Sequence, residues 1–101
     1  MHIIARPAIS AAKLRHRDAA RWLDGWWAVA SRRSWTSLDD VRRDYPTADQ
    51  VGRCLVFDSK GNKYRLVCGV SYARSSTQGT LFVKHFLTHA EYDSDQWKKD
   101  C

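Results

Sequence analysis

Residues 54–72 read CLVFDSKGNKYRLVCGVSY. The apolar period here is two, the mark of a half-buried strand. Tyr64, Leu66, Cys68, Val70 and Tyr72 share one face, and Lys63, Arg65, Val67, Gly69 and Ser71 share the other. CLVFD is a strand of its own, and Gly61-Asn62 in the intervening SKGN suits a tight hairpin turn, because both residues tolerate a positive φ.

Downstream, ARSSTQG (73–79) reads as a second hairpin loop. TLFVKHF (80–86), β-branched and aromatic, reads as the last strand. Upstream, PTADQVG (46–52) is a loop. SLDD (37–40) is a capping box with Ser37 at the N-cap and Asp40 three residues on; the short helix it opens ends at Tyr45-Pro46. From Pro7 to Arg33 the pattern is one of helix. Ala19, Trp22, Leu23, Trp26, Trp27 and Ala30 recur at helical spacing, which favours a core stripe over a stacking platform for bases. MHIIAR (1–6) is a first strand, closed by a proline suited to the start of a helix. The order is strand, helices, then three antiparallel strands. That is an α+β fold with helices packed on one sheet face, and Lys63 and Arg65 point to the other, open face.

A chain of 101 residues is expected to be a single domain, 1–101. Its 44% hydrophobic content and five tryptophans exclude a disordered chain. Seventeen Lys+Arg against eleven Asp+Glu give a net charge of +6 and a pI near 9.6. Such a balance fits a polyanionic partner, though also a merely well-solvated surface. Three cysteines without C-x-x-C spacing argue against a disulfide framework or a cysteine zinc site. Cys54 and Cys68 read instead as small buried hydrophobes. No apolar run is long enough for a signal sequence or a membrane span, so a cytoplasmic protein without membrane contact is expected.

The chemistry concentrates in KHFLTHAEYD (84–93). His85 and His89 would share a helix face and could hold zinc, but in a strand they stand roughly 13 Å apart, too far for one ion. Thr88-x-x-Glu91 is a second capping box, which puts His89 at the first helical position. There the helix dipole disfavours imidazolium, and free N–H groups would hold a phosphate. Lys63 and Arg65, roughly 6.6 Å apart along one strand face, match the spacing of adjacent phosphates, and Lys60 and Lys84 extend the patch. A base, an acid and cations together suit metal-free RNA cleavage. Each acid or base is worth ~10²–10⁴-fold, and each preorganised charge donor ~10²–10³-fold.

VFDSKGNKYRLV and LTHAEYD, with MHIIAR before them and WTSLDDVRRDYPTADQVG between, resemble the HigB family of bacterial toxin–antitoxin systems over nearly the whole chain. The resemblance implies a RelE-like fold, with N-terminal helices on a small antiparallel sheet and a short C-terminal helix. It also implies cleavage of mRNA, often on the ribosome; from the residues themselves no metal and no cofactor are expected. Silencing would come from a HigA-type helix-turn-helix antitoxin, and operator DNA would be reached only through that partner. Position by position, GNKYRL contributes Lys63 and Arg65, the latter similar to the transition-state arginine of RelE-type sheets. THAEYD contributes His89 and Tyr92 as catalytic groups. Lys60, Asn62, Lys84 and His85 are expected to contact RNA. Where a common form of the second strand in the family reads Phe-Asn-Ile, this chain has Phe57-Asp58-Ser59. Asp58 would lower phosphate affinity, or steady Lys60 or Lys63. A basic RNA- or ribosome-binding module without chemistry is the alternative from another class, and a zinc protein using His85 and His89 is a third.

Overall fold

The computed structural model describes residues 1–4 and 6–101, without the side chain of Arg6. The chain runs β1 (His2–Ile4), α1 (Arg6–Arg15), a 3-10 turn (Arg17–Ala19), α2 (Ala20–Ala30) and α3 (Leu38–Asp44). Then follow β2 (Asp49–Val51), β3 (Cys54–Ser59), β4 (Tyr64–Ser71), β5 (Thr80–Thr88), α4 (His89–Asp93) and a closing 3-10 turn (Gln96–Asp100). Ala5, within the expected first strand, lies outside the described residues.

The α+β expectation holds, with a five-stranded sheet in the order β1-β5-β4-β3-β2. All pairings are antiparallel except β1 on β5, so the sheet is mixed. The expected loop 46–52 contains a strand. Asp49–Val51 pairs with Cys54–Val56 across the two-residue turn Gly52-Arg53, where Gly52 has a φ of +57°. A β-carbon there would stand 2.6 Å from the Cys101 carbonyl oxygen, so glycine is required for the chain end to close on this turn.

The long expected helix is broken at His16, with no glycine or proline to mark the break. The cause is tertiary. Folding back lets Ile9 and Ala12 of α1 and Leu23, Trp26 and Ala30 of α2 enter one core with Leu55, Phe57, Leu66 and Leu81 of the sheet. The tryptophan stripe is core, as its spacing indicates. Trp26, 1% exposed, meets Phe57 edge-on at 5.6 Å. Each fully buried side chain of this kind contributes about 1.5–3 kcal/mol.

The other sheet face is not open. Cys54, Val56 and Val67 on it are covered by Trp97 of the closing turn, 3% exposed. Cys54 forms a disulfide with Cys101, 47 residues on, which corrects the reading of Cys54 as a plain buried hydrophobe. The absence of a C-x-x-C motif says nothing about a bond made by the chain end folding back. Cys68 keeps its expected role as a buried free thiol, with its pKa pushed up by burial.

Candidate active site

At one end of the sheet the β3–β4 turn meets the start of α4. Thr88 pairs with Tyr64 at the end of the ladder, and the His89 N–H donates to the Lys63 carbonyl at 3.1 Å. That bond joins GNKYRL to THAEYD. Both halves of the Thr88/Glu91 capping box form, at 2.9 and 3.2 Å. Because α4 is five residues long and its first donors serve Lys63 and Thr88, the expectation of a phosphate held at this helix start fails. His89 is largely exposed, and its Nε2 stands 3.1 Å from an Asp93 carboxylate oxygen. With Nε2–H donating to Asp93, Nδ1 is the ring nitrogen left as an acceptor.

Lys63 and Arg65 do not share an open face. Lys63 lies in the turn, and its ammonium reaches to the helix side, where it donates to Asp18 and stands 5.4 Å from the centre of the Tyr64 ring. Asp18 also accepts from the Tyr64 hydroxyl at 2.8 Å. The Lys63 hydrogen bond, then that of Tyr64, holds the Asp18 carboxyl below its usual range. The same carboxylate raises the Lys63 ammonium and the Tyr64 phenol above theirs. Lys63 is therefore held in its cationic form.

Arg65 points to the outer face as the alternation requires, yet it is only 8% exposed. Its Nε stands 2.8 Å from Asp58. One Nη donates to the Asn62 carbonyl at 2.9 Å and the other to the Asn62 side-chain oxygen at 3.3 Å. The guanidinium lies 4.9 Å from the centre of the Tyr92 ring. Asp58 thus neutralises Arg65 instead of steadying Lys60 or Lys63, and Asn62 serves Arg65. Tyr92 stacks on Trp97 at 5.0 Å and 15°, and the Trp97 indole N–H donates to the Tyr92 carbonyl at 2.9 Å.

Lys60, Asn62, Lys63, Arg65, His89 and Tyr92 thus all lie at this end of the sheet, a rim with the Lys63 ammonium on the helix side and Arg65 and Tyr92 on the outer face. Positive φ falls on Lys60 and Gly61, at 53° and 67°, not on Gly61 and Asn62. Lys84 and His85 stand apart from the rim. A β-bulge, with Val67 opposite His85 and Cys68 opposite Val83, leaves Lys84 without a cross-strand partner on β4. His85 pairs with Asp100 at 2.7 Å, so the two histidines of the H-x-x-x-H spacing serve different carboxylates. Among the described residues no group of three or more His, Cys, Asp or Glu side chains is placed to hold a metal ion. Two site residues escaped the sequence reading. Asp18 is the one acid in residues 13–21, a weak signal available before folding. Trp97 had none, because its partner Tyr92 is fixed only by the closing turn.

Helices on a small five-stranded sheet, with a basic turn beside a capped helix, make an α+β fold of the RelE-like class. A family described as HigB_toxin, the RelE-like toxic component of a toxin–antitoxin system, matches residues 19–95, and the chain belongs to that family. Such a component has an antitoxin as its partner. The chain is also similar to an mRNA interferase HigB of Escherichia coli O6:H1, 25% identical over 96 residues that cover 92% of this chain and 89% of the relative. No helix among the described residues is long and apolar enough to cross a membrane.

Proposed function

We propose that this chain, acting as a single domain in the cytoplasm, is an endoribonuclease that cuts mRNA on the ribosome and so arrests growth until a HigA-type antitoxin binds it. The substrate's own 2′-oxygen attacks the scissile phosphorus. The new O2′–P bond forms as the P–O5′ bond breaks, leaving a 2′,3′-cyclic phosphate and a 5′-hydroxyl. One group takes the 2′-OH proton and another gives a proton to the departing 5′-oxygen. Since Asp18 keeps Lys63 protonated, proton transfer falls to His89 and Tyr92, and Lys63 stabilises charge on the phosphorane. Arg65 works from behind as a positioning residue, with its cation against the Tyr92 ring. The observation that supports this reading is the His89-to-Lys63 backbone bond, which joins the GNKYRL and THAEYD segments at one end of the sheet. The similarity to an mRNA interferase supports the reaction class.

Inducible expression in bacteria, with primer extension on a cellular mRNA, tests it. Wild type is expected to stop growth and create new cuts, and His89→Ala and Lys63→Ala are each expected to lower cutting by about 10²-fold. The sequestered Arg65 favours one rival, a basic module that blocks translation by binding alone. Growth arrest without new cuts would establish that rival and end the nuclease reading.

A further inference from the structure

Arg53, Lys84 and Lys99 line one groove on the outer sheet face, together with Phe82, the disulfide-bonded Cys101 and one acid, Asp100, whose carboxylate is paired with His85 at 2.7 Å; the groove's volume is about 420 Å³. None of the three cations forms an ion pair within 4.0 Å among the described residues, although His85, His89, Lys63, Arg65 and Lys98 all do. Phe82 is 43% exposed, one of three large apolar side chains left so among the described residues. The floor is Gly69, where a β-carbon would come within 2.9 Å of the Lys84 stem. The bulge in β5 sets Lys84 there, as bulges commonly re-aim a side chain beside a functional site. Unpaired cations beside an exposed aromatic ring form the arrangement that holds single-stranded nucleic acid, with phosphates on the charges and a base on the ring.

From this arrangement we infer that the groove is a second RNA subsite. It takes one nucleotide of the single-stranded substrate, its base on Phe82 and its phosphates between Arg53, Lys84 and Lys99. Gly69 is four residues along β4 from Arg65 on the same face, a distance of about 13 Å, or about two nucleotides of extended chain from the cutting rim. The His85–Asp100 pair occupies the path between them. The inference rests on the nuclease reading for its substrate class and adds a determinant of affinity and cutting position that the rim alone does not supply.

The test is binding of a fluorescent six-nucleotide RNA, made uncleavable by 2′-deoxy substitution, across a salt series. A Lys84→Ala/Lys99→Ala variant is expected to flatten the slope of log K against log salt by about 1.4, at ~0.7 per phosphate contact on a single strand. Phe82→Ala is expected to weaken binding about tenfold with little change in slope. A dinucleotide, too short to reach the groove from the rim, is expected to bind all these variants like wild type. Arg74→Ala, in the distant 73–79 loop, serves as the control for bulk charge. If the double variant changes slope and affinity no more than Arg74→Ala does, or Phe82→Ala binds like wild type, the subsite is refuted. The primer-extension assay on a cellular mRNA is run beside it for wild type and the groove variants. Groove-dependent hexamer binding by a wild type that makes no new cuts would remove the nuclease reading and leave the subsite standing; new cuts by wild type with hexamer binding unaltered in the groove variants would do the reverse.

Discussion

Arg65 is poised differently from a surface arginine. Its Asp58 partner at 2.8 Å has a side chain only 24% exposed, so removing the guanidinium leaves a partly desolvated carboxylate beside a ring that has lost its cation. Losing one member of a buried pair costs about 3–5 kcal/mol; partial access of water to Asp58 brings the expected cost of Arg65→Ala to about 2 kcal/mol by urea denaturation. Asp58→Ala in the same background should return part of that loss, giving a coupling of about 1 kcal/mol in a double-mutant cycle. Strictly additive effects would show that the pair contributes nothing. This pairing bears on what could be read beforehand. Strand alternation placed Arg65 on the correct face, because alternation depends only on the pleat. It could not show that Asp58 stands directly opposite, since that follows from the register of β3 on β4 and from a turn whose left-handed residues begin at Lys60. Lys63 was misplaced for the same reason: the strand starts at Tyr64, so the turn and not the pleat directs that side chain.

The two capping boxes show the same division at the scale of elements. Ser37 accepts from the Asp40 N–H at 3.4 Å, but the shorter Asp40 side chain returns to the Thr36 N–H at 2.9 Å rather than to Ser37. Thr88 and Glu91 close both bonds, and α4 depends on them because it buries no side chain of its own. Thr88→Ala is expected to cost about 1 kcal/mol and, by releasing His89, to lower cutting further than the stability loss explains. The Glu91 carboxyl is held below its usual value, first by the Thr88 N–H; burial opposes this, and the Thr88 hydroxyl and the charges of His16 and Arg15 add to the lowering. A depressed folded-state pKa means that this contribution is complete above the ordinary value of 4.5 and is lost as pH falls through the lower one. The stability of Glu91→Gln should therefore vary less with pH than that of wild type below that value; equal acid dependence would sink the assignment. Capping signals were legible because each lies within four residues. The break at His16 and strand β2 were not, since one is imposed by two helices sharing a sheet and the other by a partner strand.

For the molecule as a whole, the decisive link is the one between Cys54 and Cys101. It draws the closing turn onto the outer face, where the Arg53 N–H donates to the Cys101 carbonyl at 3.0 Å, Asp100 holds His85, and Trp97 carries Tyr92. The groove wall containing Lys99 and the stack beneath Tyr92 therefore depend on one bond. Closing a loop of this length, with the cysteines 47 positions apart in sequence, removes chain entropy worth about 4 kcal/mol from the unfolded state. For a domain of this size that corresponds to a fall in Tm of up to about 20 °C on reduction. Cys101→Ser should melt at the reduced value whether or not a dithiol is present, while wild type should move between the two values. Thiol pools of a reducing compartment open such bridges, so oxidised and reduced protein are both states to assay. On reduction the closing turn is held by Trp97 burial, the Asp100 pair and the Arg53–Cys101 backbone hydrogen bond. Binding of the hexamer should then weaken through the loss of Lys99, and the Tyr92–Trp97 stack should loosen, read as a change in tryptophan fluorescence. A wild-type protein whose Tm, RNA affinity and fluorescence are all unmoved by a dithiol would show that the chain end holds its place without the bridge. The groove would then be a property of the sheet and not of the clasp.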